Sequence, residues 1–166
     1  MRRSIIRGVT ALALILGTGL AVPIATATAA HAAACPPAGY QCDHQDPVAT
    51  HCADDASFVA SAPVTSSGVS YGTIELRWSN RCQTNWARLW LNNPSNPNGW
   101  VRYLSITRQN PHAYDEFRYY GNGSPIYGNM MYSPGCAKAN GLILISTSPI
   151  TFAGGEALQP GCAPFA

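Results

Sequence analysis

Six cysteines constrain this chain more than any other feature: Cys35, Cys42, Cys52, Cys82, Cys136 and Cys162 all lie behind an N-terminal segment that reads as an export address. An even set of cysteines in an exported chain is expected to form disulfides, each contributing about 2–4 kcal/mol by restricting the unfolded ensemble. Spacing alone leaves many pairings open. Proximity favours Cys35–Cys42, and the placement of the strands below favours Cys52–Cys82 and Cys136–Cys162. Cys42, His44, His51 and Cys52 form a set of zinc-type ligands. They lack a CxxC pair, however, and the adjacent His51 and Cys52 are poorly placed to converge on one ion. No metal and no cofactor is therefore expected.

The address itself occupies residues 1–32. Arg2, Arg3 and Arg7 make a positive start, Gly8 to Ile24 is mostly apolar, and small residues run from Ala25 to Ala34. Ala30-His31-Ala32 fits the A-x-A cleavage rule, with Ala33 as the first mature residue. The apolar stretch is short for a membrane span and is broken by Gly17, Gly19 and Pro23. Ala32-Ala33-Ala34-Cys35 distantly resembles a lipoprotein box, but Ala32 stands where leucine is usual. Acylation of Cys35 would also leave an odd cysteine. A secreted, extracellular protein is expected, free of the membrane after cleavage, with residues 33–166 as one domain.

Charge then excludes a partner class. The net charge of +2 includes the three arginines of the address. Beyond them the acids outnumber the bases by one, so no basic footprint for nucleic acid or anionic membrane remains.

The mature part is rich in Gly, Pro, Asn and Tyr, which suits short strands joined by turns. In Thr73 to Trp78, Ile74, Leu76 and Trp78 alternate with Glu75 and Arg77, the period of a half-buried strand. In Trp86 to Leu91, Ala87, Leu89 and Leu91 oppose Trp86, Arg88 and Trp90. Ser79 to Asn85 joins these two as a hairpin-length loop carrying Cys82. Asn92 to Gly99 is a loop. Trp100 to Arg108 is a further strand, Phe117 to Tyr120 a short one, Ile126 to Tyr132 an apolar run and Leu142 to Ser146 a buried strand. Thr50 to Ala62 reads as a short helical turn running into a strand. The expected fold is mostly β, a small disulfide-stabilised antiparallel barrel or sandwich with at most short helical turns.

No nucleophile elbow, HExxH helix, Walker loop or dinucleotide fingerprint is present. His112, Asp115 and Glu116 are a candidate acid–base group, although neighbouring acids in a polar loop are usually only solvated. The sequence thus leans against catalysis, and a small extracellular hydrolase is the weakest of three readings. A binding module ranks first, because the chain has more aromatic rings than a small core accommodates. Trp86, Trp90, Trp100, Tyr119 and Tyr120 are the candidate ligand-facing residues, and a cell-envelope polysaccharide or a secreted protein the expected partner. A protease inhibitor presenting the Asn92–Gly99 loop is the alternative.

Two stretches carry a family resemblance. The first is Cys42-Asp43-His44-Gln45-Asp46-Pro47 followed by Cys52-Ala53-Asp54-Asp55-Ala56. The second is Glu75-Leu76-Arg77-Trp78-Ser79-Asn80-Arg81-Cys82-Gln83-Thr84-Asn85-Trp86-Ala87-Arg88. They resemble the C-x-G-x-D-P…G-C-x-x-D-A and E-L-R-[YW]-S-x-x-C-x-x-x-W-A-R patterns of the YjfA-like "domain of unknown function 2690" group of exported Gram-positive proteins. The likeness covers about residues 35 to 145, with His44 and His51 standing where glycine is more usual. That group has no established activity, so the resemblance implies none. Within these stretches, a Cys82 disulfide would lock the hairpin to the Cys52 segment. Arg77 is expected to pair with Asp54 or Asp55 rather than bind a ligand, and Asp46-Pro47 to initiate a turn.

Overall fold

The computed structural model describes residues 35, 39–94, 101–121 and 123–165. The export address expected at residues 1–32 lies outside them. Two single-turn 3₁₀ helices, Tyr40–Cys42 and Cys52–Asp55, precede eight strands. These are β1 (Ala56–Ser66), β2 (Val69–Ser79), β3 (Thr84–Leu91), β4 (Val101–Arg108), β5 (Ala113–Tyr120), β6 (Ile126–Tyr132), β7 (Ala137–Thr147) and β8 (Ile150–Leu158). All neighbours are antiparallel, in the order β5-β4-β7-β8-β1-β2-β3-β6. The sheet curls on itself, and the result is a nearly closed barrel rather than a sandwich.

Alternation along the strands decides what fills the interior. Ile74 and Leu76 of β2, Ala87 and Leu89 of β3, Leu104 and Ile106 of β4 and Ile143 of β7 all point inward and are buried. A barrel of this strand number has an interior just wide enough for side chains, so it is a packed core. Large residues on β2 and β4 face small ones on β7 and β8, including Ala139, Ala153 and Ala157. Gly141 belongs to this accommodation: a Cβ there would lie 3.2 Å from the Ile74 side chain. The join between β8 and β1 rests on one backbone pair, Thr65 with Gly154. Gly155 allows that close crossing, since a Cβ would lie 2.5 Å from the Pro63 carbonyl oxygen.

A second, smaller core lies outside the barrel wall. Trp86 and Met130 point outward from β3 and β6, where Cys35, Cys42, Cys52 and Cys82 cover them. The cysteines pair as Cys35–Cys42, Cys52–Cys82 and Cys136–Cys162. The first closes a loop within the N-terminal segment, the second staples that segment to the β2–β3 hairpin, and the third ties the tail to the start of β7.

Two strands differ from the sequence expectation. β5 begins at Ala113, so His112 to Glu116 is not a polar loop, and β8 has no counterpart in the sequence reading. Both are polar or glycine-rich and lack an apolar run. Pairing with β4 and β7 along their whole lengths makes them strands.

β5 and β6 end the sheet, and residues 43–45 fasten the seam where they meet. Met130 of β6 donates its N–H to the Gln45 carbonyl at 2.8 Å and accepts the His44 N–H at 3.0 Å. Asp43 accepts the Tyr132 N–H at 2.6 Å and pairs with the Arg108 guanidinium of β4 at 2.8 Å. Arg108 also donates to the carbonyls of Pro111 and Tyr132 at 2.8 and 2.7 Å, and lies over the Tyr40 ring at 4.7 Å. Removing one partner strands a buried charge, which costs several kcal/mol. Asp43→Ala is expected to lower unfolding stability by about 3 kcal/mol in denaturant titrations.

Candidate functional site: the seam between β5 and β6

The Glu75–Arg88 block forms a structural network on the barrel's outer face. Glu75, Arg77, Arg88 and Trp90 are neighbours across β2 and β3. Glu75 pairs with Arg88, accepts the Trp90 indole N–H at 3.0 Å and lies 3.6 Å from Arg77. Arg77 also donates to the Ala56 carbonyl at 3.1 Å. Its carboxylate partner is thus Glu75, and not Asp54 or Asp55, because residues two apart on a strand share a face. Burial and the charge of Arg88 pull the Arg77 guanidinium below its usual pKa, against the opposing pull of Glu75.

Asp55 has a separate duty. Its two oxygens accept the Ser79 hydroxyl at 2.6 Å and the Arg81 N–H at 2.8 Å, beside the Cys52–Cys82 disulfide. Burial opposes ionisation, yet the Ser79 and Arg81 contacts together hold the carboxyl below its ordinary value. His44 and His51 both adopt left-handed backbone, at φ 67 and 60°. Glycine suits such positions best, and histidine is among the residues that tolerate them. His44 Nδ1 lies 3.1 Å from Asp115 and His51 Nδ1 3.3 Å from Asp54. With Cys42 and Cys52 in separate disulfides, these four residues do not converge.

The acid–base group suggested by the sequence is also dispersed. Asp115 and Glu116 are successive residues of β5 and therefore point to opposite faces. Asp115 meets His44 at the seam, whereas Glu116 turns outward to Tyr114 at 2.8 Å and Arg118 at 2.9 Å. Arg118 and Tyr114 hold the Glu116 carboxyl below its ordinary pKa, and burial followed by Glu116 raises that of Tyr114.

The candidate ligand-facing aromatics separate in the same way. Trp86 is fully buried under the disulfides, so its ring presents no face to a ligand. That corrects the sequence expectation: Trp86 alternates with inward residues, but the outward side at this place is a second core. Trp90 is 39% exposed, with its indole N–H on Glu75 and Arg88 against its ring at 5.1 Å. Tyr120 is 67% exposed on the outer face. Trp100 lies outside the described residues, as does most of the Asn92–Gly99 loop.

Tyr119 is the one that reaches a concave surface. Beyond the stretch fastened by residues 43–45, the seam opens into a groove of about 220 Å³. Phe117 and Tyr119 of β5 form one wall, and Pro125, Ile126 and Tyr127 the other; Val48, Asp46 and Gly123 complete it. Asp46 is the turn initiator expected, its Oδ1 accepting the N–H groups of Val48 and Ala49 at 2.7 and 3.2 Å. Sequence reasoning missed Phe117 and Tyr127 as site residues. Nothing short of the barrel's closure brings those two strands together.

Fold and site define a class: a small disulfide-stapled β-barrel whose unpaired seam holds an aromatic groove. Residues 40–142 match the family described as "Protein of unknown function (DUF2690)", and the chain belongs to it. No curated protein and no solved structure matches the chain. The matched span includes both the Glu75–Arg88 block and every groove residue.

Two outcomes follow for the signature residues. Asp55→Ala is expected to lower stability by about 1 kcal/mol near neutral pH. Because the folded carboxyl titrates below 3.8, that difference is whole above this value and shrinks as pH falls through the folded pKa. Stability curves of both proteins against pH check it. His51→Gly, which relieves left-handed strain at an exposed pair, is expected to raise the melting temperature slightly, by about 0.5–1 kcal/mol of stability.

Proposed function

We propose that this chain is a secreted, non-catalytic binding module whose seam groove takes a saccharide ring of the cell envelope. The observation that carries the reading is the groove's wall: Phe117, Tyr119 and Tyr127 with Pro125 and Ile126, and Asp46 as a carboxylate acceptor among them. Aromatic and apolar faces pack against the C–H face of a sugar, and a carboxylate accepts its hydroxyls. At about 220 Å³ the groove is smaller than sites for drug-sized ligands, roughly 300–1,000 Å³, which favours a single ring. The separation of Asp115 and Glu116 onto opposite faces of β5 supports binding without turnover. Three disulfides suit an oxidising compartment, and no helix among the described residues is long and apolar enough to cross a membrane.

Amide chemical shifts followed during titration with glucose, N-acetylglucosamine and glucuronate test this. Saturable shifts centred on Tyr119, Gly123 and Tyr127 are expected, and Tyr127→Ala is expected to weaken binding about fivefold, the worth of one aromatic contact. Shifts absent for all three sugars, or centred on Trp90 or Tyr120, would overturn the groove as the site.

A further inference from the structure

Two arginines point into the barrel from the same strand. Arg102 and Arg108 both lie on the inward face of β4 and both are buried, at 0% and 5% exposure. Their surroundings are opposite. Arg108 has a carboxylate, two carbonyls and a tyrosine ring. Arg102 donates one bond, from Nη1 to the Gly121 carbonyl at 2.6 Å, and its Cζ lies 5.6 Å from the Tyr119 ring. Its Nε and Nη2 are buried with no hydrogen-bond partner among the described residues.

No Asp or Glu side chain among the described residues pairs with it. All eight Asp and Glu residues of the sequence fall among the described positions. Asp43 serves Arg108, Glu75 serves Arg77 and Arg88, Glu116 serves Arg118, and Glu156 serves Lys138. Asp54 and Asp115 face His51 and His44, Asp55 holds Ser79 and Arg81, and Asp46 holds its own turn. A buried guanidinium with no counter-charge costs several kcal/mol, a cost found mainly where function needs the charge.

Position says what that need is. Tyr119, opposite Arg102 in the β4–β5 register, borders the guanidinium on one side and the groove on the other. Gly121 takes the Arg102 bond, and Gly123 lines the groove with φ 155°, where a Cβ would lie 3.1 Å from the Tyr119 hydroxyl. Glycine at these places keeps side chains off the ring, which stands between groove and guanidinium.

Resting on the groove as the binding site, we infer that Tyr119 turns aside on binding and that Arg102 receives the carboxylate of an acidic saccharide held in the groove. The guanidinium's unpartnered Nε and Nη2 form one edge of its fork, the geometry that grips a carboxylate through two parallel N–H···O bonds. Asp46, at the rim, disfavours a second negative group there and keeps the ligand's acid at the inner end.

Glucuronate and glucose test this, since they share a ring and differ in a carboxylate against a hydroxymethyl group. Calorimetric titration of the whole protein is expected to show glucuronate bound at least tenfold more tightly than glucose, as for a charge-assisted pair. Arg102→Met is expected to erase that preference while keeping glucose affinity, and to melt no lower than the wild type. Arg102→Lys, which keeps the charge and loses the fork, is expected to retain part of the preference. Equal affinities for the two sugars in the wild type would overturn the role of Arg102 and leave the groove reading standing. A preference surviving in Arg102→Met would do the same. An Arg102→Met protein that melts lower, with Arg102→Lys restoring stability but neither changing selectivity, would assign Arg102 to structure. Neither sugar binding would overturn the role of Arg102, and N-acetylglucosamine failing as well would overturn the groove reading with it.

Discussion

A curled antiparallel sheet always has two end strands, and each leaves a row of backbone N–H and C=O groups without partners. Here those ends, β5 and β6, come together without a ladder of their own among the described residues. The seam is fastened instead by a segment from far earlier in the chain. Residues 43–45 supply the backbone bonds that Met130 and Tyr132 need, and Asp43 neutralises the arginine that β4 sends to the same place. The Cys52–Cys82 disulfide ties that segment to the β2–β3 hairpin. The barrel interior, the outer core around Trp86 and the groove all depend on this one closure.

The closure is also incomplete in a useful way. It seals the seam where Asp43, His44 and Arg108 meet and leaves it parted where Phe117, Tyr119, Ile126 and Tyr127 face one another. The contrast between Arg108 and Arg102 follows the same division. A buried cation at the sealed end is fully served, while at the parted end burial pulls the Arg102 guanidinium below its usual pKa, only partly opposed by Tyr119. The sealed and parted halves of the seam thus follow the two ends of β4.

Much of this was legible from residue order. The alternation of Ile74, Leu76, Ala87 and Leu89 announces two strands and their buried faces. Short-range spacing and strand placement favoured the three cysteine pairs that the structure contains. Left-handed backbone at His44 and His51 sits where the family pattern has glycine. β8 was not legible, because Thr151 to Glu156 has neither an apolar run nor alternation; a partner on each side makes it a strand. Nor was the burial of Trp86, since alternation tells which side a ring takes but not what waits there.

The sequence by itself determined strand periodicity, the even set of six cysteines and the number of Asp and Glu side chains available to neutralise arginines. These are local or additive properties, readable from spacing and composition. Only the tertiary structure decided that the sheet closes as a barrel, that Glu75 rather than Asp54 or Asp55 serves Arg77, and that Arg102 is a fully buried cation with no Asp or Glu beside it among the described residues. Each depends on which residues meet across strands far apart in sequence. That is set by sheet order and register, which no single segment encodes.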